Sequence, residues 1–248
     1  MDSIPHIIHY CWFGRNPLPP LAQKCIASWR KYLPDYEIKE WNEENFDVNA
    51  IPYTREAYAA KRYAFVSDYA RFKILYEQGG IYFDTDVEVI RPLNDIISKG
   101  PFMGCEQDAR LSSFLSVAPG LGIAAFPGQH LYAEFIELYS RLEFKKNSEG
   151  KYDTVVEYIT QLLKDKGLKN ISGVQCVDGI YIYPSEYFAP MDVITKDLRI
   201  TSNTRSIHWY AGTWLPLHEK IKKQLLLAMG SKLRSILRYI KYRGKLPE

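Results

Sequence analysis

The stretch GGIYFDTDVE at residues 79–88 decides the fold, because it joins a helix stop, an apolar strand and an acidic cluster. The glycine pair is typical of the left-handed turn that ends a helix, and the apolar residues after it predict a strand. Asp84 and Asp86 follow, spaced so that an extended chain directs both side chains to one face. Two like charges are costly to bury side by side unless a cation or hydrogen-bond donors compensate them.

Outward from this stretch, strand-like and helix-like segments alternate, which favours an α/β fold with a largely parallel sheet. Strands are predicted at residues 6–13, 36–41, 81–90, 102–105, 122–126, 180–183 and 205–209. Helices are predicted at residues 21–32, 56–78, 129–143 and 154–166. Because α/β sheets bind ligands at the carboxyl ends of their parallel strands, the acidic cluster lies at a predicted binding edge.

The composition is that of a globular protein: 248 residues, 46% hydrophobic and 25% charged, which argues against a disordered or collagen-like chain. The four cysteines form no CxxC pair, so neither a zinc site nor a disulfide framework is expected, and reduced thiols fit a cytoplasmic location. No apolar run approaches the ~20 residues of a membrane span. The first residues also lack the basic and apolar regions of a signal peptide.

The charge is unevenly distributed. Residues 219–248 carry nine Lys and Arg against two Glu, a net of +7, so the rest of the chain carries −4 of the total of +3. Apolar residues recur there at helical spacing: Ile221, Leu225, Met229, Leu233, Ile236 and Ile240. We expect a body of residues 1–215 and a basic amphipathic helix of residues 216–248, which either lies on an anionic membrane or packs on the body. No nucleic-acid recognition motif accompanies the charge.

Spacing alone leaves the acidic cluster open to several interpretations. A solvated turn fits it, whereas a calcium EF-hand loop requires glycine at its sixth position, where this chain has Val89. A phosphatase of the haloacid-dehalogenase type also opens with a strand and a DxDx(T/V) signature, but no later acidic pair follows here. The third interpretation is the DxD motif of nucleotide-sugar glycosyltransferases. In these enzymes carboxylates hold a divalent ion that bridges a diphosphate, and oxygen ligands suit Mg²⁺ or Mn²⁺.

Longer stretches of the chain resemble glycosyltransferase family 32. They are IPHIIHYCWFG at 4–14, SWRKYLPDYEIKEWNE at 28–43 and YAFVSDYARFKILYEQGGIYFDTDVEV at 63–89, with YPSEYFAP at 183–190 and IHWYAGTW at 207–214. These are DxD-containing transferases related to fungal mannosyltransferases and bacterial capsule enzymes, and the clostridial glucosylating toxins are similar more distantly. The resemblance implies a GT-A fold, transfer with retention of configuration, and Mn²⁺ or Mg²⁺ as the cofactor.

The resemblance also implies roles for the metal and donor residues. Asp86 is expected to bind the metal, with Asp84 near the ribose and a metal-bound water, and His208 to complete the metal shell. Asp68 and Arg71 share a helix face at i and i+3. The resemblance implies that they contact the ribose and the hydroxyl groups of the donor sugar, although a surface ion pair also fits their spacing. With Asp84 and Asp86, Arg71 completes the expected catalytic set.

Further residues are expected around the donor and the acceptor. Trp12, after the first strand, offers a flat face to a uracil or guanine ring; a core Trp is the alternative, but its position before Gly14 favours the ligand-facing role. Tyr82 is expected in the same pocket, and Trp214 is expected to close over the diphosphate. Glu106 and Asp108 are candidates for orienting the acceptor. No covalent nucleophile is assigned.

The expected function is transfer of a hexose from a nucleotide sugar, a UDP-hexose first and GDP-mannose as the alternative. The acceptor would be a capsular or other cell-surface glycan, or a lipid-linked oligosaccharide, at the cytoplasmic membrane face. A sugar-binding module without catalysis is disfavoured, since the DxD pair, the SDxxR pattern and the late histidine occur together.

We predict that truncation after Leu217 lowers binding to vesicles that contain anionic lipid, because the basic face of the helix is removed. Transfer to a short soluble acceptor should survive, since the matched motifs end at Trp214. Higher salt should weaken vesicle binding of the longer chain, as the Debye length is only ~10 Å at 0.1 M. Equal vesicle binding by both chains would exclude a membrane role. Insolubility of the truncated chain would show instead that the helix packs on the body.

Overall fold

The computed structural model describes residues 3–212, so the predicted helix at 216–248 and Trp214 lie outside the described residues. The helices are α1 Pro20–Tyr32, α2 Pro52–Ala59, α3 Tyr63–Gln78, α4 Asn94–Ile97, α5 His130–Ser140, α6 Val155–Asp165 and α7 Ser185–Phe188. The strands are β1 Ile7–Cys11, β2 Glu37–Trp41, β3 Gly80–Tyr82, β4 Val87–Val89, β5 Phe102–Gln107, β6 Ser116–Val117, β7 Ile123–Ala125, β8 Gln175–Val177, β9 Ile180–Tyr183 and β10 Ser206–His208. Within residues 3–212, no helix combines the length and apolar character needed to cross a bilayer.

The central sheet of the described residues has eight strands in the order β2-β1-β3-β7-β5-β9-β8, with β6 paired to β5. Strand β1 is parallel to β2 and β3, and β5 is parallel to β9. Strands β6, β7 and β8 run in the opposite direction. Five of the eight strands therefore share one direction, which confirms the largely parallel α/β sheet, with β7 as an antiparallel strand in its middle.

The core lies on both faces of this sheet. Successive strand residues alternate between two apolar clusters: Ile81 and Phe83 belong to one, and Tyr82 between them belongs to the other. This is the period-two alternation of a sheet buried on both sides. Helices α3, α5 and α6 cover one face, while α1 and α7 cover the other. Both faces being covered, a site can open only at the end of the strands.

The prediction of one helix over residues 56–78 is wrong, because the chain breaks between α2 and α3. Arg62 N donates to Ala57 O at 2.8 Å and Lys61 takes a left-handed φ of 56°, as in a helix-ending turn. No glycine or proline marks this turn. The break allows α2 to pack separately, with the Tyr53 ring 5.0 Å from the Tyr139 ring of α5.

The strand predicted at residues 81–90 is also interrupted. The chain leaves the central sheet after β3, turns through the acidic cluster and forms β4, which pairs antiparallel with β10 in a separate two-stranded sheet. The register opposes His208 to Val87. This small sheet is what brings a distant segment of the chain beside the acidic turn.

A buried histidine joins the helix stop to the sheet. Helix α3 ends at Gly79, as the glycine pair predicts, but with a φ of 64° and a ψ of −159°, a conformation open almost only to glycine and not the left-handed helical one. The Gly79 carbonyl lies 3.0 Å from Nε2 of His9, while Trp41 Nε1 donates to Nδ1 of His9 at 3.0 Å. Burial lowers the pKa of His9 to about 4, with the Gly79 carbonyl opposing the shift and Lys39 adding to it. The neutral ring therefore ties the start of β3 to β1 and β2.

We predict that His9 makes the fold sensitive to acid. Because the pKa of His9 is lower in the folded chain than the ordinary 6.5, the unfolded chain takes up the proton first as the pH falls. Stability is therefore complete above pH 6.5 and decreases toward pH 4, by about 3 kcal/mol in total. Urea unfolding between pH 7 and pH 4.5 should show a shallower pH dependence for His9→Gln than for the unchanged chain. Parallel profiles would contradict this role.

Candidate active site

The acidic cluster forms a tight turn between β3 and β4, not a continuous strand. Val87 N donates to Asp84 O at 3.0 Å, and Asp84 N donates to Gly120 O at 3.2 Å. The carboxylates of Asp84 and Asp86 nevertheless converge, as their spacing predicts, and both belong to a group of ligand atoms that lie within 4.8 Å of one another. The turn at the carboxyl end of β3 thus brings the two carboxylates together, as an extended strand was expected to do.

Arg71 connects this turn to helix α3. Its Nη2 lies 2.8 Å from Asp68 Oδ1 and 3.3 Å from Asp84 Oδ1, and its Nε donates to Ser67 O at 3.1 Å. Tyr82 lies beneath, with its ring centroid 4.8 Å from the guanidinium and its hydroxyl donating to Asp84 Oδ1 at 3.0 Å. Asp68 and Arg71 are 8% and 3% exposed, which excludes a surface ion pair. They form part of the site's floor.

The electrostatics of this floor follow from burial. Burial raises the pKa of Asp68 to about 7, although Arg71 opposes the shift. Burial likewise raises the pKa of Asp84, again against Arg71. For Arg71, burial alone would lower the pKa, but Asp84, Tyr82 and Asp68 raise it, so the guanidinium stays charged. The charged Arg71 guanidinium therefore faces two carboxyl groups, those of Asp68 and Asp84, whose ionisation is disfavoured by burial.

Asp86 and His208 form a second pair, supplied by the small sheet. His208 Nε2 lies 3.0 Å from Asp86 Oδ1, and Ala211 N donates to Asp86 Oδ2 at 2.7 Å. Burial favours the neutral form of both groups, but their attraction outweighs it: the pKa of Asp86 lies below and that of His208 above the ordinary value. The attraction between Asp86 and His208 thus favours the charged form of each group against the effect of burial.

This group suits a divalent cation. Asp84, Asp86 and His208, the three residues expected to bind the metal, place one ligand atom each within 4.8 Å of the others. Within residues 3–212, His208 Nδ1 is buried and has no hydrogen-bond partner. The two carboxylates suit Mn²⁺ or Mg²⁺, and the imidazole offers a further ligand nitrogen.

The site opens into a cleft of about 1910 Å³. Trp12, directly after β1, is half-buried on its wall, and its Nε1 donates to Asn16 O at 2.6 Å, which fixes the ring. Its place in the cleft favours the ligand-facing interpretation over a core tryptophan. Tyr82 also lines the cleft, but it is only 1% exposed and works mainly through Asp84 and Arg71.

The two acceptor candidates separate. Glu106 is half-buried, lines the cleft and lies close enough to raise the pKa of His208. Asp108 is 1% exposed and lies outside the cleft lining, because its carboxylate accepts from Arg110 Nη2 at 3.1 Å and from Ser185 N at 2.6 Å. Asp108 thus anchors a loop, and of the two candidates Glu106 alone lines the cleft.

Sequence reasoning missed the clamp that positions His208. Glu88 Oε2 accepts from Lys24 Nζ at 2.8 Å and from Trp209 Nε1 at 2.9 Å, and Trp209 N donates to Asp86 O at 3.0 Å. Glu88 and Trp209 both stand inside quoted motifs, but neither motif shows that β4 and β10 pair. The clamp holds the segment from His208 to Ala211 against the acidic turn.

Comparisons with known proteins find similarity in the part of the chain that contains the acidic turn. Residues 19–103 match the family described as "Glycosyltransferase sugar-binding region containing DXD motif". Inositol phosphoceramide mannosyltransferase 1 of Schizosaccharomyces pombe is 29% identical over 114 residues, covering 42% of this chain and 34% of the relative. Inositol phosphoceramide mannosyltransferase 3 of the same organism is 32% identical over 102 residues, covering 38% and 28%. The matched region therefore spans about a third of each relative.

A solved structure agrees on the fold. The glycosyltransferase PaToxG superposes with a TM-score of 0.50 over 67% of this chain and 71% of its own, at 19% sequence identity. At that identity the likeness concerns the fold alone, and it confirms the GT-A architecture that the resemblance implies. The family match over residues 19–103 confirms the resemblance to DXD-containing glycosyltransferases and favours it over the phosphatase alternative.

We predict that Trp12→Ala weakens binding of a free nucleoside diphosphate as well as of the nucleotide sugar. Loss of base stacking is worth ~1–3 kcal/mol by alanine substitution in nucleic-acid binders. Trp12→Phe, which keeps a flat ring but loses the hydrogen bond to Asn16, should retain most of the affinity. Calorimetric titration with UDP and with GDP checks both variants. A folded Trp12→Ala chain of unchanged affinity would show that Trp12 does not stack on the base.

Proposed function

We propose that this chain, whose residues 19–103 carry the DXD sugar-binding region, is a metal-dependent glycosyltransferase that moves a hexose from a nucleotide sugar with retention of configuration. The observation that carries the proposal is the convergence of Asp84, Asp86 and His208 beside the buried Asp68–Arg71 pair. Retention rests on the family resemblance.

The chemistry requires departure of a nucleoside diphosphate from an anomeric carbon. A divalent cation held by Asp84, Asp86 and His208 would supply positive charge for the leaving diphosphate. Arg71 adds a guanidinium that its two carboxylates hold in place, so it need not reorganise as charge develops. Such preorganised electrostatic stabilisation is usually the largest catalytic contribution.

The donor is proposed to lie along the floor of the cleft. Trp12 offers its face to the base, while Asp68 and Arg71 meet the ribose and the sugar hydroxyls, with Asp84 next to the ribose. A UDP-hexose is the donor proposed first. GDP-mannose is the alternative, and the names of the two fungal relatives, both mannosyltransferases, favour mannose as the sugar.

The acceptor is proposed to occupy the rest of the cleft. At about 1910 Å³ the cleft exceeds the roughly 300–1,000 Å³ of a typical small-ligand pocket, so it has room for a second substrate. Glu106 faces this space as an acceptor-orienting carboxylate. We propose a capsular or other cell-surface glycan, or a lipid-linked oligosaccharide, at the cytoplasmic membrane face, where the basic residues 219–248 would contact anionic lipid.

We predict that Asp86→Asn abolishes Mn²⁺-dependent binding of the donor while the chain stays folded, because one carboxylate leaves the surface of the cleft and no apolar core residue changes. Titration calorimetry with UDP- and GDP-sugars, with and without Mn²⁺, measures the effect. Asp35→Asn is the matched control, since Asp35 is exposed and is not among the residues that line the cleft. It should bind donor like the unchanged chain.

Normal sugar transfer by Asp86→Asn would overturn the assignment of the metal site. Binding of every nucleotide sugar without any metal would overturn the metal dependence. Hydrolysis of simple phosphate esters without sugar transfer would restore the phosphatase alternative.

A further inference from the structure

The segment of residues 118–122, Ala-Pro-Gly-Leu-Gly, lies over the first carboxylate of the acidic turn and belongs to none of the matched motifs. It contains the short 3-10 helix Pro119–Leu121, between β6 and β7. Asp84 N donates to Gly120 O at 3.2 Å, so the backbones of the two segments are in direct contact. Residue 120 therefore stands beside a residue of the proposed metal and donor site.

Gly120 leaves no room for a side chain. A Cβ atom built on it would lie 2.1 Å from Asp84 Oδ2, 2.9 Å from Asp84 Cγ and 3.3 Å from Arg71 Nη1. Carbon and oxygen atoms do not approach to 2.1 Å unless they are bonded, so either the Asp84 carboxylate would have to turn away or one of the two segments would have to move. The atoms that such a Cβ would meet belong to Asp84 and Arg71, which are residues of the proposed site.

The backbone conformation does not demand glycine at position 120. Gly120 is absent from the residues of positive φ, whereas Gly122, two residues on, has a φ of 134°. Alanine could adopt the backbone angles at position 120 without strain of that kind. The requirement for glycine there is one of space, and the space is filled by the Asp84 carboxylate.

Asp84 is thus held on three sides. Tyr82 OH and Arg71 Nη2 reach its Oδ1 at 3.0 and 3.3 Å, and the bare backbone of Gly120 closes against its Oδ2. We propose that Gly120 is a positioning residue, which acts through Asp84 by allowing its carboxylate to seat against the backbone in the orientation that meets Asp86 and His208. The consequence for metal binding rests on the proposed function, but the coupling between positions 120 and 84 does not.

Two other glycines provide comparisons that distinguish the positioning of Asp84 from a general effect on packing. Gly122 faces Phe83, with a built Cβ 2.7 Å from its Cε1, and its left-handed φ makes any substitution strained whatever lies at position 84. Gly173 has ordinary backbone angles and open space around a built Cβ. Gly122→Ala is therefore a structural comparison, and Gly173→Ala is the neutral control.

The experiment is a double-mutant cycle with Gly120→Ala, Asp84→Ala and the double variant. Urea unfolding without metal or nucleotide reads the coupling, and titration with Mn²⁺ and UDP, and with Mn²⁺ and GDP, reads the site. We expect Gly120→Ala to lower the apparent Mn²⁺ affinity about 10–100-fold, as loss of a supporting contact to a metal ligand does. Gly173→Ala should stay within about twofold.

The double-mutant cycle decides whether positions 120 and 84 are coupled. Gly120→Ala should lower the urea midpoint in the unchanged chain but not in the Asp84→Ala chain, where no carboxylate opposes the new methyl group. Gly122→Ala should lower the midpoint equally in both backgrounds. If Gly120→Ala fails to fold alone, recovery of folding in the double variant supports the proposal.

Equal loss of stability in both backgrounds would overturn the proposal, as would a double variant that fails to fold. Unchanged Mn²⁺ affinity in Gly120→Ala would also overturn it. A chain that shows the coupling in urea but binds no Mn²⁺ or nucleotide would instead contradict the proposed function.

Discussion

The site depends on one interaction, the seating of the Arg71 guanidinium between the carboxylates of Asp68 and Asp84. Burying a charge without partners costs several kcal/mol, so each member of this triad is tolerated only because the others are present. The triad joins α3, which carries Asp68 and Arg71, to the turn after β3, which carries Asp84. A helix and a strand end are therefore fixed to each other by charge as well as by apolar packing.

The remaining parts of the site converge on this triad from distant segments. The small β4–β10 sheet and the Glu88 clamp hold His208 beside Asp86, and the segment around Gly120 closes over Asp84. Each segment contributes a few atoms, and none of them could form the site alone. Rigid elements thus support the first carboxylate, whereas the second takes its partners from the segment of residues 208–211.

The different surroundings of Asp84 and Asp86 suit them to different roles in the proposed site. Asp84, with Oδ1 engaged by Tyr82 and Arg71, is suited to a fixed orientation in the proposed donor site. Asp86 pairs with His208, and this attraction raises the pKa of the imidazole against the effect of burial. Positive charge from Arg71 lowers the cost of holding Asp84 close to Asp86, and the proposed metal would add to it.

Local sequence determined much of this protein. The glycine pair at 79–80, the DxD spacing and the alternation of strands and helices predicted the helix end, the convergence of Asp84 with Asp86 and the α/β sheet, because each depends on neighbours within a few residues. Tertiary structure alone decided the break at Lys61, the removal of Asp108 from the cleft, the burial of Arg71 and the requirement for glycine at position 120. Those features depend on which distant surfaces meet, since burial and close contact are properties of packed pairs and not of single residues.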